Sequence, residues 1–349
     1  MSHLLSRLLL ACIALPVAAL MASCATVEPA RAPRYAGYLF VYFGGDSTAD
    51  GEQIRYALSV GNDPLHWRAL NGGRPVLTST VGEKGVRDPY IVRAPGGGKF
   101  YIIATDLRMA GRDMGQWWVV QRQGSLSIVV WESADLVHWS APRLAQVAPE
   151  EAGNTWAPEA AWDPLLGKFV VFWASRLYVP GDKDRQQLTH NRMLYATTDD
   201  FRSFSEPRVW HDPGHSVIDA TVIEHAGRYY RFTKDDREPR DGTPCAKSIT
   251  AQRSSSLTST HYEFIADCIG RGAIGDGEGP LVFKSNTGEK WYLFIDEYGK
   301  RGYVPFETTD LDSGRWTPVK DYRMPGQPRH GVVLPVTQQE AERLLAAYP

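Results

Sequence analysis

Four carboxylates and a histidine stand at the heads of short apolar runs in this chain. They are Asp88 in "RDPYIV", Glu159 in "PEAAWD", Asp219 in "IDATVI", Glu278 in "GEGPLVF" and His330 in "RHGVVLPV". One acid at a strand start is ordinary. Acids brought together by a repeat are not, because clustered carboxylates repel and raise one another's affinity for protons. Proteins accept that cost mainly at metal sites or catalytic sites. Two carboxyls in different protonation states are what cleavage of a glycosidic bond demands. One protonates the leaving oxygen, and the other, ionised, activates water or attacks the anomeric carbon. Glu278 is the candidate donor, since neighbouring anions favour its protonated form. The glycines beside it would let a sugar come close, and Pro280 stiffens the turn.

These five residues share a site only if the elements that carry them are equivalent. A turn and an aromatic strand follow the first four runs, as "GGGKFYIIATD", "LGKFVVFWAS", "AGRYYRFTKDD" and "GEKWYLFIDEY". A fifth such strand, "YAGYLFVYFGG", has no apolar run before it, while "RHGVVLPV" has no aromatic strand after it. A further signature, S/T-x-D-L-x-x-W, closes the units, in degenerate form in "SSSLTSTHY". Its copies are "SVGNDPLHW", "ESADLVHW", "TTDDFRSF", "SSSLTSTHY" and "TTDLDSGRW", ending at Trp67, Trp139, Phe204, Tyr262 and Trp316. Short aromatic and β-branched segments between Gly, Asp, Asn and Pro read as strands in meanders. Five units of roughly 50 to 70 residues predict an all-β fold, a five-bladed β-propeller. A β-sandwich would leave five repeats unexplained. The unmatched ends predict ring closure, with the C-terminal strand completing the N-terminal blade and removing exposed sheet edges. In such a ring the five inner strands place Asp88, Glu159, Asp219, Glu278 and His330 around one central funnel. Only the tail, "TQQEAERLLAAY", reads as helix, with Thr337 and Glu340 at capping-box spacing.

The chain has 349 residues, 43% hydrophobic and 22% charged, with a formal net charge of −2. That suits a globular protein with a large core and gives no electrostatic case for nucleic acid. The segment 1–23 reads as a signal peptide, with Arg7 ahead of an apolar run too short to span a bilayer. It ends in "MASC", which resembles a bacterial lipobox, so Cys24 is the expected lipidation site. Residues 24–34 are then a linker and 35–349 a single catalytic propeller domain. The expected location is the periplasm or outer membrane, or outside the cell, with membrane contact only through that lipid, and the expected state is a monomer. Export permits disulfides. Cys245 and Cys268 lie nearly symmetrically about a Ser/Thr turn between two strand-like runs, and a hairpin there predicts their pairing.

The ordered series "RDPYIV", "TWAPEAAW", "SVIDATVIEHAGRYY" and "EGPLVFKSNTGEKWYLF", with a late "HG", resembles glycoside hydrolase family 43 over roughly Tyr38 to Pro335. The resemblance implies a five-bladed propeller that hydrolyses arabinofuranosides or xylosides with inversion and requires no cofactor. It makes Asp88 the general base, Asp219 the residue that orients the acid and tunes its acidity, and Glu278 the general acid. His330 matches an axial histidine where some members hold a calcium ion (Ca2+) or a water cluster. Glu159 matches the acid of a "WAP-D/E" motif and supports the substrate site, and Trp156 would wall the sugar pocket. If the N-terminal strands did not belong to the closing blade, Asp46 or Asp50 would compete for the base. The expected substrate is an arabinose- or xylose-containing oligo- or polysaccharide. The leading expectation is an exo-acting α-L-arabinofuranosidase, with "RMAGRDMGQWWVVQRQGS" and "RLYVPGDKDRQQLTHNR" closing the funnel. A β-xylosidase, a β-galactofuranosidase and a retaining fructosidase are alternatives, as are a sugar-binding propeller without catalysis and a metal-centred structural one.

Overall fold

The computed structural model describes residues 34–349 apart from 49 and 241; the leader and Cys24 lie outside the described residues. Chain order begins with β1 (Tyr35–Phe43), β2 (Arg55–Val60), β3 (Asp63–Ala69), β4 (Val86–Arg93) and β5 (Phe100–Asp106). Helix α1 (Gln116–Gln123) follows, then β6 (Ser127–Ser133), β7 (Arg143–Gln146), β8 (Trp156–Asp163), β9 (Lys168–Arg176), β10 (Asn191–Thr198) and β11 (Arg208–His211). The rest is β12 (Val217–His225), β13 (Arg228–Asp235), β14 (Ile249–Ser254), β15 (Glu263–Ile269), β16 (Glu278–Lys284), β17 (Trp291–Glu297), β18 (Gly302–Thr308), β19 (Thr317–Pro318), β20 (Arg329–Thr337) and α2 (Gln338–Ala347).

These strands form five four-stranded antiparallel sheets, the blades β20-β1-β2-β3, β4 to β7, β8 to β11, β12 to β15 and β16 to β19. The inner strands β4, β8, β12, β16 and β20 pack side by side around the axis. The expected closure is present: β20 pairs with β1 from Tyr35 opposite Thr337 to Phe43 opposite Arg329. The capping box also forms, with Thr337 Oγ1 accepting from the Glu340 amide and Glu340 Oε2 accepting from the Thr337 amide. It starts α2, which packs Leu344 between the first two blades.

Apolar side chains fill each wedge between neighbouring blades. From β1, Leu39 and Val41 meet Ile102 and Trp131 of the second blade, while Tyr38, Phe40 and Tyr42 meet Phe283 and Phe294 of the fifth. Successive residues point to opposite faces, and here both faces are buried, so the strand is apolar at nearly every position. The S/T-x-D signature joins the third strand of a blade to the outermost one. Ser133 Oγ accepts from the Asp135 and Leu136 amides, and Asp135 Oδ1 accepts from the Val137 and His138 amides. Thr198 and Asp200 repeat the arrangement, which is why a hydroxyl and a carboxylate recur at that spacing.

Cys245 and Cys268 are disulfide-bonded, as expected, although Cys245 lies in the turn before β14 rather than on a strand. Helix α1 is an addition to the expectation that only the tail is helical. It lacks a side-chain N-cap and buries only Val120, so neither a capping residue nor an apolar stripe announced it.

Candidate active site

Four of the five inner strands, β4, β8, β12 and β16, bulge near their starts, two residues facing one on the neighbouring strand. The bulge pairs are Asp88-Pro89, Ala157-Pro158, Asp219-Ala220 and Gly279-Pro280, and the first of each has a positive φ. On β20 the register shifts likewise at His330. A bulge here turns the strand's first side chains onto the axis.

This register corrects the expected equivalence of the five residues. Asp88, Asp219 and His330 do occupy the bulge. Glu278 stands one residue before it, in line with Arg87, Trp156, Ile218 and Arg329, and Glu159 stands two residues beyond Ala157. These two adjacent positions supply most of the pocket, both of them from the second and fourth blades and one from each of the others, and its lining is Arg87, Asp88, Leu107, Trp117, Trp156, Ile218, Asp219, Glu278 and His330. Trp156 lines it, edge-on to Trp117 of α1 with ring centres 6.0 Å apart. Glu159 does not line it, because its register places it deeper on the axis, 2% exposed, where Oε2 has no hydrogen-bond partner. Neither Asp46 nor Asp50 lines it. Asp46 lies 3.6 Å from Arg87, and Asp50 pairs with Arg55 at the surface.

Asp88 is held from two sides. Thr105 Oγ1 donates to Asp88 Oδ2 at 2.8 Å while accepting from the Ala157 amide at 2.8 Å, and His330 Nδ1 lies 3.5 Å from Oδ1. Burial pushes this carboxyl up, but the bond and charge of His330, with Arg87 and Thr105, outweigh burial and hold it below the usual aspartate value. Asp88 is thus ionised, as a base must be. Asp219 Oδ2 accepts from the Gly279 amide at 3.0 Å. Burial raises its carboxyl to about 6, opposed by His330 and Lys234 and assisted by the charges of Glu278 and Asp88. His330 faces both aspartates. Burial alone would lower it, yet Asp219, Asp88 and Glu159 raise it to about 9, so it is an imidazolium. Burial leaves Glu159 at about 8, a neutral acid at pH 7.

Glu278 departs from expectation. Its neighbours in contact are cations: Lys234 Nζ donates to Oε2 at 2.9 Å and Arg329 Nη2 to Oε1 at 2.6 Å. Burial still pushes its carboxyl up, but Lys234 and Arg329 outweigh burial and lower it. Arg329 is braced in turn by Asp296, 0% exposed, whose Oδ2 accepts from Nε at 2.6 Å. The flanking glycines also serve packing rather than sugar access. A Cβ on Gly279 would lie 2.8 Å from the His330 ring, and one on Gly277 would lie 2.6 Å from Ile295.

Calcium takes six to eight oxygen ligands, and the side chains around His330 do not fit it. Among the described residues, the one cluster of His, Cys, Asp and Glu close enough to share an ion is Cys245, Asp267 and Cys268, whose thiols form the disulfide. At the axis His330 Nδ1 lies 3.5 Å from Asp88 Oδ1 and 3.9 Å from Asp219 Oδ1, between the two carboxyls.

Residues 33–342 match the sequence profile of a family described as "Probable glycosyl hydrolase domain", a relative of glycoside hydrolase family 43. The chain belongs to this family. It is 37% identical over 251 residues to an alpha-L-arabinofuranosidase of Bifidobacterium longum subsp. longum, a match covering 68% of this chain and 23% of that protein. The chain thus spans under a quarter of the relative's length. The propeller superposes on the alpha-L-arabinanase of Cellvibrio cellulosa complexed with arabinohexaose, with a TM-score of 0.52 and 13% identity over 81% of this chain and 91% of that one. A thermostable family-43 glycoside hydrolase gives 0.48 at 20% identity over 70% of this chain and 76% of that chain. At such identities the likeness concerns the fold alone.

For this glycosyl hydrolase family member, the residues that sequence reasoning missed are Arg87, Lys234, Arg329, Thr105 and Trp117. Arg87 and Arg329 directly precede Asp88 and His330 in "RDP" and "RHG", so an equivalence of neighbouring positions would have found both. Lys234 and Thr105 come from the second strands, opposite Ile218 and Arg87, and only the strand register brings them in.

Proposed function

We propose that this protein is an inverting, exo-acting α-L-arabinofuranosidase in which Asp88 is the general base and Glu278 the general acid. The observation that carries the proposal is the convergence of Asp88, Asp219 and Glu278 from three inner strands on one tryptophan-walled pocket, with Asp88 held ionised. A sugar seated there removes water from Glu278 and strengthens the burial that favours its protonated form. Glu278 then protonates the glycosidic oxygen as the bond to the anomeric carbon breaks. Asp88 takes a proton from a water that attacks the opposite face, which inverts the configuration. Asp219 fixes the peptide after Glu278, and its charge keeps the acid's affinity for protons higher.

Exo action is supported by the wall on the α1 side. Arg122 at the end of α1 donates to the Arg185 and Asp184 carbonyls at 2.8 and 2.7 Å, and Arg185 Nη1 donates back to the Arg122 carbonyl at 2.7 Å. The two segments expected to close the funnel are therefore clipped together at the end of α1, the helix whose Trp117 lines the pocket. The arabinofuranosidase name of the 37% identical relative supports the choice of sugar. The disulfide accords with export, and lipidation at Cys24 remains part of the proposal, as does a monomeric state.

The occupied oxygens of Glu278 favour a second reading, a propeller that binds sugar without cleaving it. Incubation with aryl α-L-arabinofuranoside, β-D-xyloside and β-D-galactofuranoside and with arabino-oligosaccharides decides between them. Free arabinose released singly from chain ends supports the first proposal. Release of xylose or galactose instead moves the assignment within the family, and binding without release of any sugar supports the second.

A further inference from the structure

Lys234, 4% exposed, stands between two acids. Its Nζ lies 2.9 Å from Glu278 Oε2 and 3.3 Å from Asp236 Oδ1. Asp236 is fixed from the other side by Lys247, whose Nζ donates to Oδ1 at 3.0 Å and to the backbone carbonyl at 3.1 Å. The second cation on Glu278 is placed differently. Arg329 is forked between Glu278 and Asp296, both at 2.6 Å, and its planar guanidinium cannot leave one without straining the other. An ammonium on a four-carbon stem changes acceptor with a small movement, and Lys234 already touches its second acceptor. The pair matters because two cations on one carboxyl favour its ionised form, and an acid must instead hold a proton for the sugar.

We propose that Lys234 is a positioning residue that holds Glu278 as the carboxylate and, by settling on Asp236, frees Oε2 for the proton that the glycosidic oxygen receives. The proposal rests on the glycosidase assignment above and deepens it by naming the group that arms the acid. The proton enters Oε2 from water and leaves to the glycosidic oxygen as its bond to the anomeric carbon breaks. The attacking water gives its oxygen to that carbon and one proton to Asp88, which returns it to solvent. One water is consumed and both carboxylates are restored. The other groups facing Glu278 keep their places throughout: Asp219 from β12, Asp296 from β17, Tyr298 just after it, and Arg329 and His330 from β20.

The test uses the whole protein with ¹³C-labelled glutamate carboxyls, the Glu278 signal being assigned by its loss in Glu278→Gln. Titrations of wild type, Lys234→Met and Asp236→Asn are compared with the pH profiles of kcat. Losing the cation in Lys234→Met should raise the Glu278 midpoint by about one pH unit or more. Asp236→Asn leaves Lys234 with Glu278 alone and should lower it. The alkaline limb of kcat should follow each shift while KM changes little. Opposite shifts together with a lower plateau of kcat in Asp236→Asn are the deciding result: removing either charge moves the midpoint, but only a lysine that must settle on Asp236 makes loss of that acceptor slow turnover. Midpoints that stay fixed, or move together, overturn the proposal, and Asp236→Asn alone suffices if Lys234→Met does not fold. Turnover with unmoved midpoints defeats the lysine clamp and leaves the glycosidase standing. Opposite shifts without turnover by wild type keep the clamp and defeat the glycosidase.

Discussion

Asp219 Oδ2 accepts the Gly279 amide at 3.0 Å, so the carboxylate of one blade holds the peptide that follows Glu278 in the next. Thr105 does the same for the second blade, carrying Asp88 to the Ala157 amide. In both places the first residue of a bulge is held by the blade before it. Ala157 carries a side chain at positive φ, which costs of order 1–3 kcal/mol, and the Thr105 bond helps to offset that cost; Gly279 adopts the same φ without the penalty.

Asp219→Asn keeps an oxygen for the Gly279 amide but removes the charge. Folding should be kept, with the melting temperature near that of wild type, while kcat falls by about 10² or more, the range for general acid–base assistance. Asp219→Ala should lose both. Steady-state kinetics beside thermal unfolding of the two variants separates charge from scaffold.

Thr105→Val removes the donor to Asp88 and leaves the buried Ala157 amide without a partner. An unpaired buried polar group costs about 1–3 kcal/mol, so the urea midpoint should drop accordingly and kcat should fall. Thr105→Ser should restore both, and a Val variant as stable as wild type would show that the bridge is dispensable.

His330 gives a pH signature of stability. Its folded value, about 9, lies above the unfolded 6.5, so its contribution is complete below pH 6.5 and is lost as pH rises through 9. His330→Gln should therefore lower the melting temperature most near pH 6, and the gap to wild type should shrink by pH 9.5. Glu159, raised to about 8, also makes the wild type less stable as pH rises from 4.5 to 8. Calorimetry of both proteins across pH 5 to about 9.5 checks the sign.

The disulfide joins residues 23 apart. Closing a loop of that length stabilises a protein by about 3 kcal/mol in the chain-entropy picture. The double variant Cys245→Ser, Cys268→Ser should show a loss of that order in denaturant while keeping turnover at room temperature, because neither sulfur touches the pocket.

Much of this was legible in the chain. The aromatic strand after each turn recurs in all blades, and the S/T-x-D turn in the second, third and fifth, because every blade solves the same packing problem. The closing strand was found because "YAGYLFVYFGG" lacked a partner and "RHGVVLPV" offered one. What sequence did not reveal is the bulge. Ala157 and Gly279 occupy its first position in the third and fifth blades without any chemical signal, so sequence alone points to the nearby acids Glu159 and Glu278 as their equivalents. That slip of one or two residues separates a glutamate in the pocket from one sealed beneath it. The cations on Glu278 were hidden for a related reason: Lys234 arrives across the sheet and Arg329 around the closed ring, and neither neighbourhood is local in sequence.

The central claim is that Glu278 donates the proton and Asp88 activates the water. Proton NMR of the first sugar released from an aryl α-L-arabinofuranoside, by wild type and by Glu278→Gln, tests it most directly. The account predicts β-L-arabinose as the first anomer from wild type and a large loss of that release in the variant when the substrate is an unactivated oligosaccharide. An α anomer formed first, or oligosaccharide cleavage undiminished in Glu278→Gln, would contradict it.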